Sequence, residues 1–249
     1  MDINELKACL QQMKLTTMLE HLDEVSKTAG KESWCYEQFL YELVSMEQQS
    51  RWERKLKLLM RESRLPVGKT FATLDRSRLG RTLNQHIDAL VEGSFLDRCE
   101  NVLAFGNPGS GKTHALCAIG HEMILKGKRV LFKNCEMLVQ DLLVAKREYE
   151  LPAFLKKIGK YQALIIDDIG YVQQSREEME VLFTLLADRY EKASTLITSN
   201  LKFSEWDKIF KDPMTTAAAI DRLVHHSMIL ELNLPSYRLE QAKKEKHND

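Results

Sequence analysis

The sequence predicts an α/β fold, in which a parallel β-sheet carries helices on both faces, preceded by an all-helical N-terminal domain. Three observations lead to this prediction. Short apolar runs alternate with helical stretches in the second part of the chain, as they do in βαβ units. Residues 1–65 instead place apolar residues at helical spacing, with a single glycine and no proline. A glycine-rich loop connects the first apolar run to the helical stretch behind it.

Composition is that of a soluble globular protein. The chain has 249 residues, enough for one substantial domain and a smaller one, and its 36 Lys and Arg balance 36 Asp and Glu. Overall charge therefore does not indicate a nucleic-acid partner, and such a site would have to be a local basic patch. The sequence shows neither a run of about 18 apolar residues nor a signal-peptide pattern, so we expect a cytoplasmic protein with no membrane partner.

The cysteines and the paired histidines do not predict a metal site. The five cysteines are odd in number and widely spaced, without a CxxC pair, which argues against zinc or a disulfide framework and favours a reducing compartment. His225 and His226 are adjacent, so we expect them to point in different directions as structural or surface residues.

The N-terminal domain, 1–65, is expected to consist of helices and to serve oligomerisation or contacts with DNA or a partner. Gly30 is predicted to separate two helices, the second of them long. Pro66 and Gly68 mark a linker over 66–80.

Five apolar runs predict the strands of the second domain, 81–240. Four of the five are rich in Val, Ile or aromatic residues, which is typical of buried parallel strands. A helical pattern over 177–191 lies between two of them, and the charged tail, 241–249, is expected to fray. The predicted strands are 101–105, 129–134, 163–167, 195–199 and 228–232.

Residues 106–113, GNPGSGKT, match the phosphate-loop pattern GxxxxGK[ST] in full. The glycines let successive N–H groups face the β-phosphate, Lys112 pairs with the β- and γ-phosphates, and the Thr113 hydroxyl is a ligand for Mg²⁺. The helix behind the loop points its positive end at the same anion. The predicted nucleotide-binding residues are Gly106, Asn107, Pro108, Gly109, Ser110, Gly111, Lys112, Thr113 and His114.

Two carboxylates end the third apolar run. Asp167 is placed to hold the hydration shell of Mg²⁺, and Asp168 is placed to polarise an attacking water. A helix N-cap or a turn is the alternative role for either residue.

Two further polar residues complete the pattern. Asn200 directly follows the fourth predicted strand, where it would lie beside the γ-phosphate, although asparagine is also common in turns. Arg222 precedes the last strand and can serve as an arginine finger for the γ-phosphate held by a neighbouring subunit. Its alternative role is that of a solvated helix residue.

These motifs, in this order, resemble those of the AAA+ ATPases. The strings GNPGSGKTHALCAIGHEMILKGKRVLF, ALIIDDIGYV and AAAIDRLVHHSMILEL resemble the IstB family, ATP-binding helper proteins of insertion sequences that are related to DnaC helicase loaders and DnaA initiators. The resemblance covers about residues 66–240, and MKLTTMLEHL, 13–22, extends it into the N-terminal domain.

The resemblance implies a three-layer AAA+ fold with strand order 5-1-4-3-2. Because only residues 233–249 follow the last predicted strand, the helical lid of most AAA+ proteins is not expected, and Arg238 is the candidate for its sensor arginine. The family's chemistry is hydrolysis of ATP with Mg²⁺. The pair Asp167-Asp168, where many AAA+ proteins have Asp-Glu, implies slow turnover. An arginine finger supplied by a neighbour implies that turnover depends on oligomerisation, and the family's assembly on DNA implies that it depends on DNA. The implied catalytic residues are Lys112, Asp167, Asp168, Asn200 and Arg222.

The resemblance also implies partners: duplex DNA bound with little sequence preference, a transposase, and further copies of the same chain. Basic clusters are the candidate DNA contacts, because phosphate contacts need only Lys and Arg on one face. Basic residues on a helix often do no more than keep a surface solvated. The candidates are Arg51, Arg54, Lys55, Lys57, Lys133, Lys146 and Arg147.

Two other functions fit parts of the pattern. A DnaC-type loader, whose partner is a replicative helicase, shares the same motifs, and the run at 13–22 favours the transposition helper over it. A metabolic nucleotide kinase would need a small-substrate pocket and a lid with catalytic arginines, and has no role for the paired acids or Asn200.

Overall fold

The computed structural model describes residues 2–170, 175–201, 205–206 and 213–237. The chain divides into two compact units, Met1–Leu58 and Leu59–Asp249. The division lies before the predicted boundary at residue 65, because Leu59 is buried in the apolar core of the second unit. Arg238 and the tail 241–249 lie outside the described residues.

The first unit is helical. It contains α1 (Ile3–Gln12), α2 (Thr16–Glu32) and most of α3 (Tyr36–Ser63). Its small core comprises the buried side chains of Leu10, Met18, Leu22, Val25 and Leu43.

Gly30 does not separate two helices, so that prediction is wrong. Helix α2 continues through Gly30 to Glu32 and ends at Ser33, whose φ of 55° is left-handed. A glycine inside a helix costs only about 1 kcal/mol relative to alanine. Burial of Met18, Leu22 and Val25 along the same helix offsets that cost.

A buried carboxylate from α3 caps the start of α2. The residue at the N-cap, Leu15, has no side-chain acceptor, and Glu47 accepts the N–H groups of Thr17 at 2.8 Å and Met18 at 3.2 Å instead. Arg51 Nε donates to the same carboxylate at 2.7 Å. Burial acts to raise the pKa of Glu47, but the hydrogen bonds from Arg51, Met18 and Thr17 outweigh it, and the pKa lies below its ordinary value.

Replacing Glu47 by alanine is expected to destabilise the start of α2 by about 2 kcal/mol, because two buried N–H groups lose their acceptor. Hydrogen exchange in the full chain should then accelerate about 30-fold over residues 16–32. Because folding lowers the pKa of Glu47, its stabilisation is present above the ordinary carboxyl pKa and is lost as the pH falls through the folded value. Glu47→Gln retains an acceptor and should lose this acid dependence; unchanged exchange in both variants would contradict the capping role.

The second unit contains a five-stranded parallel sheet. Its strand order is β2-β3-β4-β1-β5, which confirms the predicted order 5-1-4-3-2 counted from the opposite edge. All neighbouring strands are parallel, and β1 lies between β4 and β5. The strands are β1 (Asn101–Gly106), β2 (Val130–Asn134), β3 (Ala163–Asp167), β4 (Ser194–Ser199) and β5 (Ser227–Leu232).

Helices cover both faces of this sheet and give three layers. Alternate residues of a strand point to opposite faces. Leu103 and Phe105 pack with residues of the helices on one side, and Val102 and Ala104 pack with those on the other. The helices of this unit are α4 (Arg81–Glu92), α5 (Ser94–Asp97), α6 (Lys112–Leu125), α7 (Cys135–Arg147), α8 (Leu151–Ile158), α9 (Arg176–Arg189) and α10 (Pro213–Val224), with a 3₁₀ turn at Arg76–Arg78.

The segment predicted as a linker, 66–80, belongs to the second unit and packs on its apolar core. Leu79 is buried in its core, and Phe71 and Leu74 are partly buried against the same apolar cluster. This packing brings the segment beside the phosphate loop, where it forms one wall of the candidate site.

The five cysteines are all unpaired. Burial on α6 raises the pKa of Cys117 to about 12, so its thiol stays protonated at neutral pH. Among the described helices, none is both long and apolar enough to cross a membrane.

Candidate nucleotide-binding site

The predicted phosphate loop lies between β1 and α6, at the carboxyl end of the sheet. Two of its glycines are required by close contacts. Gly106 has a φ of 147°, and a Cβ there would collide with the carbonyl of Leu232. Gly109 has a φ of 79°, and a Cβ there would collide with Ser236 Oγ. At Gly106 any other residue would have to displace the backbone of Leu232, and at Gly109 it would have to displace the Ser236 side chain and adopt a strained positive φ.

Lys112 lies over this loop with 8% of its surface exposed. Its ammonium donates to the carbonyl of Gly106 at 2.7 Å and to that of Asn107 at 2.9 Å. The positive charge is thus held where a loop-bound phosphate would need it. Ser110 lies within the loop and is also buried, and its Oγ has no hydrogen-bond partner among the described residues.

Asp167 is the centre of a three-residue cluster at the ends of β3, β4 and α6. Thr113 Oγ1 donates to Asp167 Oδ1 at 2.7 Å, and Thr198 Oγ1 donates to the same oxygen at 2.7 Å. The structure therefore brings together the two residues predicted to bind Mg²⁺. A hydroxyl and a carboxylate oxygen side by side are hard ligands of the kind this ion takes.

Asp168 and Asn200 lie next to this cluster. The Asp168 N–H donates to Thr198 Oγ1 at 2.8 Å, and Asp168 has a left-handed φ of 70°. Such backbone is uncommon for a residue with a side chain and recurs at functional sites. Asn200 Oδ1 is buried near Gly170, without a hydrogen-bond partner in the described part of the chain.

Arg222 is not near the loop. It lines a cleft with Asn101, which begins β1, whereas the phosphate loop follows the end of the same strand. The guanidinium carbon lies 4.7 Å from the centroid of the Phe183 ring. Its Nη1 is buried without a hydrogen-bond partner among the described residues.

His114, predicted to contact nucleotide, joins α6 to the segment 66–80. Its Nε2 lies 3.0 Å from Thr73 Oγ1 and 3.0 Å from the carbonyl of Thr70. The position still lines the cavity beside the loop.

The chain after β5 forms a second wall, which the sequence did not indicate. Tyr237 N–H donates to the Gly109 carbonyl at 3.1 Å. Arg78 donates to the Pro235 carbonyl at 3.1 Å and lies 5.1 Å from the Tyr237 ring centroid. Leu74, Leu79 and Leu234 give this cavity an apolar side, which is suited to a nucleobase.

The candidate DNA residues differ in how far their charges are already paired. Arg51 and Arg54 both contact Glu47, at 2.7 Å and 3.5 Å. Two of the other candidates form ion pairs, Lys133 with Asp141 and Lys146 with Glu180. The last three candidates, Lys55, Lys57 and Arg147, have exposed side chains.

Fold and site together define a class of protein. The phosphate loop follows β1, and an acid ends β3, which is separated from β1 by β4. Together with the sheet order β2-β3-β4-β1-β5, this is the arrangement of an AAA+ nucleotide-binding protein. The chain belongs to the IstB-like ATP-binding protein family, whose sequence profile matches residues 8–245.

Relatives from insertion sequences match nearly the whole chain. A Sinorhizobium fredii protein named for an insertion sequence and for ATP binding is 38% identical over 99% of this chain and 83% of its own length. A Pseudomonas aeruginosa protein, named for insertion sequence IS21 and ATP binding, is 35% identical over 97% of this chain and 91% of its own length.

Solved structures share the fold at low identity. The DnaC helicase loader superposes with a TM-score of 0.52 at 20% identity, over 59% of this chain and 86% of its own. AMPPCP-bound DnaA from Aquifex aeolicus superposes with a TM-score of 0.57 at 20% identity, over 74% of this chain and 55% of its own.

Proposed function

We propose that this chain is a transposition helper that self-assembles on duplex DNA with ATP, acts with a transposase, and hydrolyses ATP to permit remodelling or release. Hydrolysis would be slow and would depend on assembly and DNA. The observation that carries the proposal is the position of Arg222 at the far end of the sheet from the phosphate loop.

That separation supports a site completed by a second chain. A strand rises about 3.3 Å per residue, so the ends of β1 are about 16 Å apart. Asn101, at the start of β1, donates its side-chain N–H to the Leu223 carbonyl at 3.2 Å, which fixes the end of α10 at the edge away from the loop. The location of Arg222 away from its own loop supports a role on the nucleotide of a neighbouring chain.

Within one chain, the loop and Lys112 would hold the triphosphate. The loop N–H groups and the amino end of α6 stabilise its negative charge, and the Lys112 ammonium would exchange the Gly106 and Asn107 carbonyls for phosphate oxygens. The walls formed by 66–80 and by Leu234 would enclose the base.

Thr113 and Asp167 would hold Mg²⁺, which neutralises charge that develops on the β- and γ-phosphates. Thr198 fixes the Asp167 carboxylate through its hydroxyl, so this carboxylate is oriented before nucleotide arrives. Asp168 would polarise the attacking water and Asn200 would hold it in line. Arg222 from the neighbouring subunit would stabilise the transferring phosphoryl group.

Partners are inferred from the relatives and from charge. The names of the relatives, which cover nearly the whole chain, refer to insertion sequences, and this supports a transposase rather than a helicase as partner. For DNA, the exposed Lys55, Lys57 and Arg147 are better placed than Lys133 and Lys146, whose ion pairs would have to break.

Size analysis by light scattering after gel filtration tests the proposal. The protein is run with and without ATP and Mg²⁺, and with and without random duplex DNA of about 50 base pairs, long enough for several basic patches to bind. We expect a large complex that needs both ligands and forms equally on unrelated sequences. A monomer under every condition would refute the proposal.

Replacing Thr198 by valine is expected to weaken Mg²⁺-dependent ATP binding about tenfold, because loss of a residue that orients a metal ligand costs about 10- to 100-fold in affinity. Valine keeps the shape and removes only the hydroxyl shared by Asp167 and the Asp168 N–H. ATP binding measured in EDTA should be unchanged. An equal loss with and without Mg²⁺ would assign Thr198 to loop stability instead.

A further inference from the structure

Three side chains that can bind a metal ion converge at the end of the sheet opposite the phosphate loop. Glu191 follows α9, and His225 and His226 form the turn between α10 and β5. One ligand atom from each residue lies within 4.8 Å of the others, and all three residues are exposed.

The two histidines do not point in different directions, so that prediction is wrong. Their ring centroids are 4.2 Å apart with an interplanar angle of 67°. The expectation assumed regular secondary structure, in which adjacent side chains diverge. His225 and His226 lie in a turn after the last helical residue, Val224, and before the strand begins at Ser227, so neither periodicity applies.

The backbone around the cluster is held by contacts outside it. The His226 carbonyl accepts the Asn101 N–H at 2.7 Å, and the His225 N–H donates to the Asp221 carbonyl at 2.9 Å. Glu191 has a left-handed φ of 57°, a conformation that costs about 1 kcal/mol or more for a residue with a side chain. The fold thus maintains a strained residue at the position that directs a carboxylate toward the imidazoles.

Tyr190 approaches the cluster from the side. Its hydroxyl lies 3.3 Å from His225 Nδ1. A hydroxyl or carboxylate partner of this kind fixes the ring orientation and tautomer of a metal-binding histidine and leaves the other ring nitrogen for the ion.

The ligand chemistry selects the class of ion. Two imidazoles and one carboxylate suit Zn²⁺ and its neighbours Co²⁺ and Ni²⁺, whereas Ca²⁺ and Mg²⁺ take oxygen ligands. Three protein ligands on an exposed surface leave one position for water or for a group from another molecule. The same cleft holds two arginines, Arg98 and Arg222. The positive charge of Arg98 is offset by its two hydrogen bonds to Glu100, at 2.7 Å and 2.9 Å, and the Arg222 guanidinium lies 4.7 Å from the centroid of the Phe183 ring.

We propose that Glu191, His225 and His226 form a binding site for one divalent transition-metal ion, with Zn²⁺ the favoured occupant. The site is separate from the Thr113 and Asp167 pair, and it does not depend on the function proposed above.

Cobalt titration of the full chain, prepared without a histidine tag, tests this site. Co²⁺ bound by imidazole and carboxylate in a four- or five-coordinate site has visible absorption that the hexahydrated ion largely lacks. We expect saturable binding of one ion per chain, displaced by Zn²⁺, with affinity reduced at least about tenfold in His226→Ala and in Glu191→Gln. His21→Ala, which removes an imidazole beside Glu24 in the first unit, should bind as the unchanged protein does.

Two results would overturn the proposal. One is the absence of saturable binding up to about 100 µM Co²⁺, because a three-ligand site of this kind should have a dissociation constant below that concentration. The other is binding that survives both His226→Ala and Glu191→Gln, which would place the ion elsewhere. Because the substituted side chains are exposed, circular dichroism should show the same thermal unfolding for all three variants without metal.

Discussion

Replacing Arg222 by alanine is expected to lower ATP turnover about 10³-fold or more while leaving the ATP dissociation constant unchanged, since arginine fingers contribute about 10³ to 10⁵ in turnover. Turnover should fall without a change in affinity because Arg222 lies away from its own phosphate loop. Turnover is measured on the assembled protein with DNA, and affinity by titration of a fluorescent ATP analogue. Unchanged turnover would reject the role.

A mixing experiment distinguishes action on a neighbour from action within one chain. Arg222→Ala retains an intact phosphate site but lacks the finger, and Asp168→Asn retains the finger but lacks the acid that polarises water. Each variant is therefore expected to be inactive alone. Mixed assemblies place the Asp168→Asn finger beside the Arg222→Ala site and should recover activity. If Arg222 acted within its own chain, mixing would restore nothing. Arg98→Ala is the matched control, because it removes a positive charge from the same cleft.

Replacing Lys112 by alanine is expected to weaken ATP binding by about 100-fold or more, since charge-assisted hydrogen bonds contribute about 1.5–3 kcal/mol each. The Lys112 ammonium already lies against the loop, bound to two of its carbonyls. ATP-dependent assembly should be lost with ATP binding. Isothermal titration and light scattering measure the two effects separately.

Lys126→Ala provides the control for this substitution. Lys126 caps the other end of α6, is exposed, and donates to the Glu92 carbonyl at 3.0 Å. Lys126→Ala removes one positive charge from the same helix, as Lys112→Ala does, but at a distance from the loop. ATP binding and assembly that persist in Lys112→Ala would contradict the phosphate-binding role.

The strands of the sheet were predictable because their cause is local. A buried parallel strand needs a short apolar run, and all five runs became strands whose ends differ by at most one residue from the predicted ones. The phosphate loop was predictable for a related reason. Its conformation is encoded in eight consecutive residues, 106–113, whose glycines permit positive φ.

Contacts between distant parts of the chain were not predictable in this way. Glu47 caps α2 by accepting the N–H of Thr17, thirty positions earlier in the chain, and no local pattern marks an acid for that role. Tyr237 reaches the loop at Gly109 only because β5 returns the chain to that edge of the sheet. Thr198 lies within the fourth predicted strand, but its bond to Asp167 depends on the pairing of β3 with β4.

The prediction at Gly30 was wrong because residue propensity alone favours a break there. Packing of Leu22 and Val25 against the small N-terminal core stabilises α2, which includes Gly30 and ends two residues later at Glu32. Tertiary contacts outweigh a propensity of about 1 kcal/mol.

The placement of Arg222 and the phosphate loop at opposite ends of β1 also limits the symmetry of any assembly that Arg222 completes. A twofold pair completes its sites only if one interface brings the finger of each chain to the loop of the other, and it stops at two chains. A heterologous contact, in which the surface that carries the finger meets the surface that carries the loop of the next chain, completes one site per contact, and its repetition gives a closed ring or a helical filament. An open filament of n chains has n − 1 complete sites, so its turnover per chain rises with filament length, whereas a ring has no unmatched end.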